Sequence, residues 1–466
     1  MKNTRLIRFI GFLGIFIILA EIVTSNAIIN NFCEINGDYS TLKTVVDVKN
    51  NIDMDNEAGF NKQDIWQLKN IFKNENLAYS ARPSEKNTVV YHDKKPYKAA
   101  VIATDSTYQS FREMNIKHGN FFRTSDEISS KPVAVIDNEL AWEIFQTDNV
   151  VGMDIELLDR TFLIIGICSE EKSLIRKLVD DGIPEIYIPF ETLLDIEPST
   201  KITNLQIKSE DDNTLDKNRE IITRSLEAIS KEPTNYNITD YNIKLASVKQ
   251  IPLIVTFLLG LIVILMGLRF IFREIKDSIN IIKKECQVNY VLDVLKFNKI
   301  KIYVLFLKVT CTLILLCMVW KGVSFQPYVS PKYISVNLFD LSYIKDLFKS
   351  QLEIFNSNAG YVAPYMEREF NIITKIVYFQ FAISLLIGLP CLLISLNALK
   401  RCSSDLFENI VNLTLLFILS LLILLLISYL LGLSVYGDQI RSVAGVWFFT
   451  FINTIKFKRK EYGILV

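Results

Sequence analysis

Long apolar runs constrain this chain more than any other feature, because about 20 successive apolar residues are enough to cross a bilayer as a helix. Five such runs are spread along the sequence: 9–23 with a weaker extension to 29, 251–268, 302–320, 376–396 and 411–433. A long charged stretch separates the first run from the second. The pattern predicts a multi-pass membrane protein with one large aqueous domain.

The first run follows the basic residues Lys2, Arg5 and Arg8. It is either a secretory signal peptide or an uncleaved signal anchor, and the lack of an evident small-residue cleavage site favours the anchor. We therefore expect residues 1–32 to form an N-terminal transmembrane helix with its N-terminus in the cytoplasm. Glu21 interrupts the run, and we expect it at the outer membrane interface rather than in a proton relay.

Residues 33–250 have the mixed pattern of an aqueous α+β domain. The β-branched run 133–136 predicts a strand, 138–145 an amphipathic helix, and Asp159-Arg160 the turn of a hairpin. Similar patterns predict helices over 63–74 and 215–229 and strands over 88–91, 99–103, 185–190 and 205–208. We expect a polar loop over 230–237. The fold class is thus an α+β domain inserted between one transmembrane helix and a bundle of further ones.

Residues 251–400 are predicted to form a membrane core with two connecting segments. Segment 269–301 holds eight Lys or Arg and four Asp or Glu, so it is expected in the cytoplasm by the positive-inside rule. Segment 322–374 is then external. Pro390 is expected to kink the fourth span.

The C-terminal part, 401–466, contains the fifth span and an ambiguous end. Residues 443–455 are apolar but short for a span, and a basic stretch follows them. Five spans place that basic tail outside, whereas six place it in the cytoplasm. The positive-inside rule favours six.

Composition excludes several classes of function. The formal net charge is zero, which gives no footprint for nucleic acid. No Gly-Lys pair occurs, so we expect no P-loop, and the motifs of zinc proteases, serine hydrolases and dinucleotide-binding folds are missing. We therefore expect neither an enzyme nor a cofactor or metal. A disulfide between Cys33 and Cys168 is left open.

Residues 98–168 resemble the extracytoplasmic core domain of MacB-like ABC permeases, the family that includes FtsX-like permeases. The resemblance rests on VIATDSTY, NIKHGNFF, KPVAVIDNELAWEIF and VVGMDIELLDRTFLIIGI, in that order. These are fold-packing positions, so the resemblance implies an architecture more than a chemical site.

The tail NTIKFKRKEYGIL resembles the end of the first helix of an FtsX-like core, through Arg459, Glu461 and Gly463 among others. In the family, further membrane helices follow this motif. Two alternatives are left open: the chain is the front part of a two-core permease, or the motif is a terminal cytoplasmic stub.

The resemblance implies a partner, a cytoplasmic ABC ATPase, and segment 269–301 is its natural contact. The candidate docking residues are Arg273, Glu274, Ile275, Ile279 and Ile282, of which the isoleucines follow near-helical spacing. Arg273-Glu274-Ile275 is a degenerate copy of the tail motif without its glycine. The alternative is a basic loop that meets only lipid.

Three functions are consistent with the sequence. The first is a permease subunit that couples ATP hydrolysis by a separate subunit to motion of its external domain, for export or extraction of a peptide, lipid or antibiotic. The second is a membrane regulator of a cell-wall hydrolase or sensor kinase, and the third is a truncated relic of a longer permease. A second permease subunit, identical or different, is also expected, in the cell membrane.

Overall fold

The computed structural model describes residues 2–49, 58–72, 76–82, 88–112, 114–169, 182–208, 217–287, 290, 294, 296–328, 342, 345–346, 349, 365–402, 406–433, 435 and 437–454. The chain divides into two compact units. The membrane unit comprises Met1–Asn31, Val248–Pro327 and Ile373–Val466, and the core domain comprises Phe32–Ser247 and Tyr328–Ile372.

The core domain contains eleven described strands. They are β1 (Thr44–Val48), β2 (Asn76–Ala81), β3 (Thr88–His92), β4 (Lys95–Thr104), β5 (Asn115–Gly119), β6 (Val133–Asp137), β7 (Asp154–Leu157), β8 (Arg160–Ser169), β9 (Glu185–Pro189), β10 (Asn204–Lys208) and β11 (Tyr236–Asp240).

Helices alternate with these strands or follow them. After α1 (Lys2–Thr41), which begins in the membrane unit, they are α2 (Lys62–Ile71), α3 (Tyr108–Arg112), α4 (Thr124–Ile128), α5 (Asn138–Phe145), α6 (Phe190–Ile196), α7 (Lys217–Ala228) and α8 (Tyr241–Lys249).

The strands form one sheet in which part of the pairing closes on itself. From one edge the order is β11-β1-β10-β2-β4-β3-β7-β8-β6-β9, and β9 also pairs with β4. The strands β4, β3, β7, β8, β6 and β9 therefore form a ring, while β2, β10, β1 and β11 extend from β4. A closed ring leaves fewer free strand edges, which protects a domain of this kind from edge pairing.

Two of the pairings are parallel, β4 with β9 and β6 with β8. In both pairs, the chain between the two strands contains other strands and helices, because parallel strands need a long crossover connection. The buried faces of the ring strands fill one apolar core, which includes Phe162 and Phe190.

The best local predictions are confirmed where capping and periodicity agree. Helix α5 covers the predicted residues, and Asp137 caps it by accepting from the backbone of Glu139. The predicted hairpin between β7 and β8 is present, but its turn residues are Leu158 and Asp159, both with positive φ. The turn lies one residue earlier than the sequence indicates, because a two-residue hairpin turn of this hand needs both φ angles positive.

Four strands, β1, β2, β5 and β11, were not predicted. β11 and a 3-10 turn (Pro233–Asn235) occupy the stretch expected to be a polar loop. The strand forms because β1 pairs with it over its whole length, from Thr44 opposite Asp240 to Val48 opposite Tyr236. Edge strands of this type lack a clear alternation, since only long-range pairing selects them.

Gly119 is the position where the fold needs glycine most. It ends β5 with a φ of 74° and pairs with Gly166 of β8. A Cβ at Gly119 would overlap the carbonyl group of Ile165, and one at Gly166 would lie 2.5 Å from the carbonyl oxygen of Asn120. This close approach lets Phe121 and Phe122 enter a second core between the strands and α3.

Cys33 and Cys168 are both thiols in the structure, so the disulfide left open by the sequence is not formed. Cys168 lies in β8, where its thiol donates to the carbonyl of Ile136 at 3.5 Å. Its burial fits its character as a small apolar side chain.

The described secondary structure of the membrane unit is helical. After α1 come α9 (Ile251–Glu285), α10 (Lys299–Val323), α11 (Tyr365–Ile383), a π-helical turn (Ser384–Gly388), α12 (Leu389–Cys402), α13 (Leu406–Leu430), a 3-10 turn (Gly437–Gln439) and α14 (Ile440–Thr454).

Five described helical stretches are long and apolar enough to cross a membrane: Arg5–Gly37, Tyr241–Glu285, Lys299–Val323, Glu367–Leu399 and Phe407–Leu430. They agree with the five apolar runs of the sequence. The sixth segment forms α14, which is shorter and is counted only as an apolar helix over Ile440–Ile452. The choice between five and six spans stays a prediction.

The expected irregularity at Pro390 is present as the π-helical turn immediately before it. Proline has no N–H, so a regular helix would leave the carbonyl four residues earlier without its donor. The turn shifts the pairing instead, and the N–H of Leu389 donates to the carbonyl of Ser384. π turns inside membrane helices are often found at functional positions.

Small residues bring α1 against α12. A Cβ at Gly14 would lie 2.6 Å from the backbone nitrogen of Leu392 and 2.9 Å from the carbonyl oxygen of Gly388. One turn away, the hydroxyl of Ser395 donates to the carbonyl of Ile7 at 2.8 Å. Close backbone approach and interhelical hydrogen bonds are what hold helices together in lipid.

Candidate functional site

The structure places the predicted docking residues on the last turns of α9. Ile275, Ile279 and Ile282 are spaced by four and three residues, so they share one face of this helix. Ile279 is 57 % exposed, whereas Ile275 and Ile282 are half-buried. Arg273 is exposed, and Glu274 is half-buried. The five residues thus lie within ten residues of one helix, but Arg273 is on the side opposite to Ile275.

Helices α9 and α10 form an antiparallel hairpin that holds this surface. A Cβ at Gly260 would meet Val323, and one at Gly267 would meet Leu316, which sets the two helices in close contact. Further along, Lys308 donates to the carboxylate of Glu274 at 2.7 Å. The predicted docking residue Glu274 is therefore paired with the neighbouring helix.

The tip of the hairpin is closed by Asn298, which is 5 % exposed. Its side-chain amide donates both to the carboxylate of Glu285 at the end of α9 and to the carbonyl of Val294. Lys301 adds an ion pair with Glu285 at 3.9 Å. These contacts connect the end of one helix to the beginning of the next.

Large apolar side chains are exposed around this tip. Their exposed fractions are 57 % for Ile279, 86 % for Tyr290, 92 % for Phe297 and 71 % for Ile300. Exposed lysines stand between them: Lys276, Lys283, Lys284, Lys296 and Lys299. We name Ile279, Tyr290, Phe297 and Ile300 the hairpin-tip surface. Aromatic residues surrounded by charge are typical of protein contact sites and of membrane interfaces.

Sequence reasoning found Ile279 of this surface and missed the other three. Beyond the end of α9 come Tyr290 and Phe297, which precede α10, and Ile300, which lies in its first turn. No helical period links these three residues to the isoleucines of α9. Only the pairing of α9 with α10 brings the two sets to one end. The tail residues Arg459, Glu461 and Gly463 lie outside the described residues, so the resemblance of the tail stays a prediction.

The core domain presents polar groups but no assembled catalytic set among its described residues. His92 in β3 and His118 in β5 pair with different acids, Asp93 and Asp148. In the part of the chain that the structure describes, no three His, Cys, Asp or Glu side chains are grouped to hold a metal ion.

One buried acid and one buried base in the core domain, Asp105 and Lys43, have strongly shifted pKa values. Burial raises the pKa of the Asp105 carboxyl from 3.8 to about 7, although hydrogen bonds from Thr107 and the backbone of Tyr79 act in the other direction. Burial lowers the pKa of Lys43 from 10.5 to about 7, and the nearby Arg112 adds to the decrease. Lys43 donates to Gln206 and to the carbonyl of Phe111.

Asp105→Asn should remove one contribution to the pH dependence of the unfolding free energy between pH 4 and pH 8. Because the folded pKa is above the unfolded one, folded Asp105 keeps a proton that the unfolded chain loses between pH 3.8 and about 7. Its contribution to stability is therefore present below pH 3.8 and is lost as pH rises to about 7. Relative to the unaltered chain, we expect Asp105→Asn to gain about 2–4 kcal/mol between pH 4 and pH 8.

The measurement is the unfolding free energy of the full chain in detergent at both pH values, for the variant and the unaltered protein. Other titrating groups cancel in the difference between the two proteins. A difference that does not change with pH would contradict the assignment. Lys43 affects stability in a different pH range. Its contribution to the unfolding free energy is lost as pH falls from 10.5 to about 7.

The fold and the spans together define a multi-pass membrane protein that carries a large α/β domain. Residues 9–225 match the family model of the MacB-like periplasmic core domain. This match confirms, over these residues, the resemblance to the MacB-like core domain seen in the sequence.

Two curated relatives match parts of the chain. It is 25 % identical over 158 residues to the "uncharacterized ABC transporter permease YknZ" of Bacillus subtilis, covering 34 % of this chain and 38 % of that protein. It is 27 % identical over 81 residues to the "macrolide export ATP-binding/permease protein MacB" of Syntrophobacter fumaroxidans, covering 17 % and 11 %. The chain thus spans well under half the length of either relative.

Two solved structures are similar to the core domain. The periplasmic region of MacB from Actinobacillus actinomycetemcomitans gives a TM-score of 0.36 at 17 % identity, covering 44 % of this chain and 90 % of that one. The extracellular domain of YknZ from Gram-positive bacteria gives 0.35 at 16 %, covering 42 % and 99 %.

Proposed function

We propose that this chain is a permease subunit of an ABC-type complex. In this role it couples ATP hydrolysis by a separate cytoplasmic ATPase to motion of its core domain outside the membrane. The observation that carries the proposal is the hairpin-tip surface, where exposed apolar side chains lie near the end of two spans that Asn298 and Glu285 connect. The names of the relatives, a permease and an ATP-binding permease, support the same class of activity.

A separate ATPase is required because the sequence holds no Gly-Lys pair and hence no P-loop. The contact has to lie at a cytoplasmic end of the spans. The lysines around the hairpin tip favour the cytoplasmic side by the positive-inside rule. With the tip inside, the N-terminus is cytoplasmic and the core domain is extracytoplasmic, as the sequence predicts.

Docking of a protein explains the tip better than contact with lipid does. An interfacial helix separates an apolar face from a basic one. At the tip, by contrast, Phe297 stands between the exposed Lys296 and the buried Asn298, and Ile300 stands between Lys299 and Lys301. In such a surface the apolar side chains provide affinity for the partner, and the surrounding charges fix its orientation.

The membrane unit also leaves room for a second permease subunit. Of the five spans, the apolar stretch of α10 is the least covered, with 11 % of it buried. An identical or different permease chain packing there, together with lipid, completes a two-permease arrangement.

A conventional solute channel is less well supported. The most apolar span, α13, is exposed mainly through leucines such as Leu415, Leu422 and Leu426. Leucine faces suit lipid and helix packing, whereas a hydrophilic pore needs polar lining. We therefore place the work of the complex in the core domain, driven through the helices by the ATPase.

Ile279→Asp combined with Phe297→Asp tests the docking surface. Both side chains are exposed, so the hairpin should keep its internal contacts while its tip loses apolar anchors. Expressed with the ABC ATPase encoded nearest to it, the tagged variant should recover about tenfold less ATPase from detergent than the unaltered chain does. The broader variant with Ile275, Ile279 and Ile282 all changed to Asp should lose the ATPase as well.

Ile128→Asp is the matched control, because Ile128 is 81 % exposed on α4 of the core domain. It adds one negative charge away from the hairpin, where the tip variant adds two, and should recover the normal amount of ATPase. If the unaltered chain recovers no ATPase, the proposed transport function fails. If the tip variant recovers as much as the control, the docking surface lies elsewhere.

A further inference from the structure

Glu21 lies inside the helical bundle of the membrane unit, where other helices cover it. Its side chain is 1 % exposed, and its neighbours Ile18, Leu19 and Ile22 belong to the bundle core. The sequence does not indicate this burial, and the expected position at the outer interface stays a prediction. Which face of α1 turns inward depends on the helices packed against it.

Both carboxylate oxygens of Glu21 are buried and have no hydrogen-bond partner among the described residues. A bare carboxylate in apolar surroundings costs several kcal/mol, so such a group either pairs or takes up a proton. The helices of the bundle core offer no positive charge, since 251–268, 376–399, 410–433 and 442–454 contain no Asp, Glu, Lys or Arg.

Two charged side chains elsewhere on these helices have partners of their own. Arg8 on α1 pairs with Glu408 at 2.9 Å, and Lys308 on α10 pairs with Glu274 at 2.7 Å. Arg8 is thirteen residues from Glu21, or about 20 Å along a helix. Among the described residues, no cationic side chain is therefore placed to neutralise Glu21.

The register of α1 against α11 identifies the group opposite Glu21. A Cβ at Gly388 would touch Ile17 and Ile18, and the hydroxyl of Ser25 donates to Gln380 at 2.7 Å. Glu21 lies midway between these two levels, and Ser384 lies midway between Gly388 and Gln380. Ser384 is 1 % exposed, and its hydroxyl also lacks a partner among the described residues.

The local backbone at this level differs from a regular helix. Ser384 begins the π-helical turn, whose wider pairing separates backbone carbonyls that a regular helix would engage. A protonated carboxyl opposite has one O–H to donate and a carbonyl oxygen that accepts from a hydroxyl. Glu21 and Ser384 are not hydrogen-bonded to each other in the structure, but they carry the complementary groups that a neutral acid needs.

We propose that Glu21 and Ser384 form a proton-binding site inside the membrane unit. In the packing seen here Glu21 is the neutral acid, and it releases its proton when a rearrangement of α1 against the π-helical turn admits water. The proposal does not depend on the proposed transport function. Binding of a proton at Glu21 favours the closed packing of the helical bundle.

Labelling with dicyclohexylcarbodiimide tests the site, because this apolar reagent reacts with protonated carboxyls in an apolar environment. The full chain in lipid nanodiscs is labelled at neutral pH, and the modified peptides are identified by mass spectrometry. We expect Glu21 to be labelled about tenfold more than the exposed Glu143, since only the buried carboxyl is kept protonated. Sodium or potassium ions should not reduce the labelling.

Absence of label on Glu21 would overturn the proposal. So would protection by sodium or potassium, which would identify a metal cation as the ligand instead of a proton. Infrared difference spectra give a second readout. The carboxylic acid C=O band at neutral pH should vanish in Glu21→Gln and shift to higher wavenumber in Ser384→Ala.

Ser428→Ala is the control for the infrared measurement. Ser428 is also fully buried in the bundle with a hydroxyl that lacks a partner among the described residues, but it lies on α13. Its replacement should leave the band unchanged. Equal shifts in both serine variants, or none in Ser384→Ala, would remove Ser384 from the site.

Discussion

Gly119→Ala should destabilise the core domain by about 2–4 kcal/mol, the largest effect expected of a single methyl group in that unit. The added Cβ overlaps the carbonyl of Ile165, which is backbone and cannot rotate away. The left-handed φ of 74° adds a cost of about 1–2 kcal/mol for any residue with a side chain. Separation of β5 from β8 would follow, and Phe121 and Phe122 would lose their packing.

Hydrogen exchange of the full chain in detergent measures this effect at the peptides covering β5 and β8. Faster exchange there, with unchanged exchange in the membrane helices, is the expected result. Gly152→Ala is the matched control, because Gly152 has a φ of 93° but nothing within 4 Å of an added Cβ. If the two variants exchange alike, backbone strain rather than close approach explains the glycine at 119.

Gly14→Ala should weaken the membrane unit by about 2–3 kcal/mol. Alanine normally favours a helix by about 1 kcal/mol relative to glycine, so the sign of the effect depends on packing alone. Here the Cβ would lie 2.6 Å from the backbone nitrogen of Leu392, and only separation of α1 from α12 relieves that contact. The hydrogen bond from Ser395 to Ile7 would weaken with it.

Unfolding of the full chain by sodium dodecyl sulfate in mixed micelles gives the free energy for this comparison. Gly445→Ala is the control, since Gly445 lies within α14 and has nothing within 4 Å of an added Cβ. It should be neutral or stabilising, opposite in sign to Gly14→Ala. Two variants that shift stability in the same direction would show that α1 and α12 tolerate a wider spacing.

Local patterns were sufficient for the elements whose stability is local. The five spans follow from hydropathy, because lipid rewards apolar side chains wherever they lie along the helix. Helix α5 and the hairpin of β7 and β8 follow from capping and turn chemistry within a few residues. The same approach missed β1 and β11, which depend on each other across almost 200 residues of chain.

In the candidate site, too, some residues could be predicted from local patterns and others could not. The sequence indicated the C-terminal turns of α9 because three isoleucines share a helical face and basic residues surround them. Tyr290, Phe297 and Ile300 had no such signal. They join Ile279 only because Glu274 meets Lys308 and Asn298 closes on Glu285.

By itself the sequence determined that this is a multi-pass membrane protein with an inserted α+β domain that resembles the MacB-like core domain, since hydropathy and short packing motifs are properties of contiguous residues. The tertiary structure alone decided which strands close the ring, why Gly14 and Gly119 must lack a side chain, and that Glu21 is buried opposite Ser384. Those features depend on contacts between residues far apart in the chain, where steric fit and loss of water, rather than local preference, set the free energy.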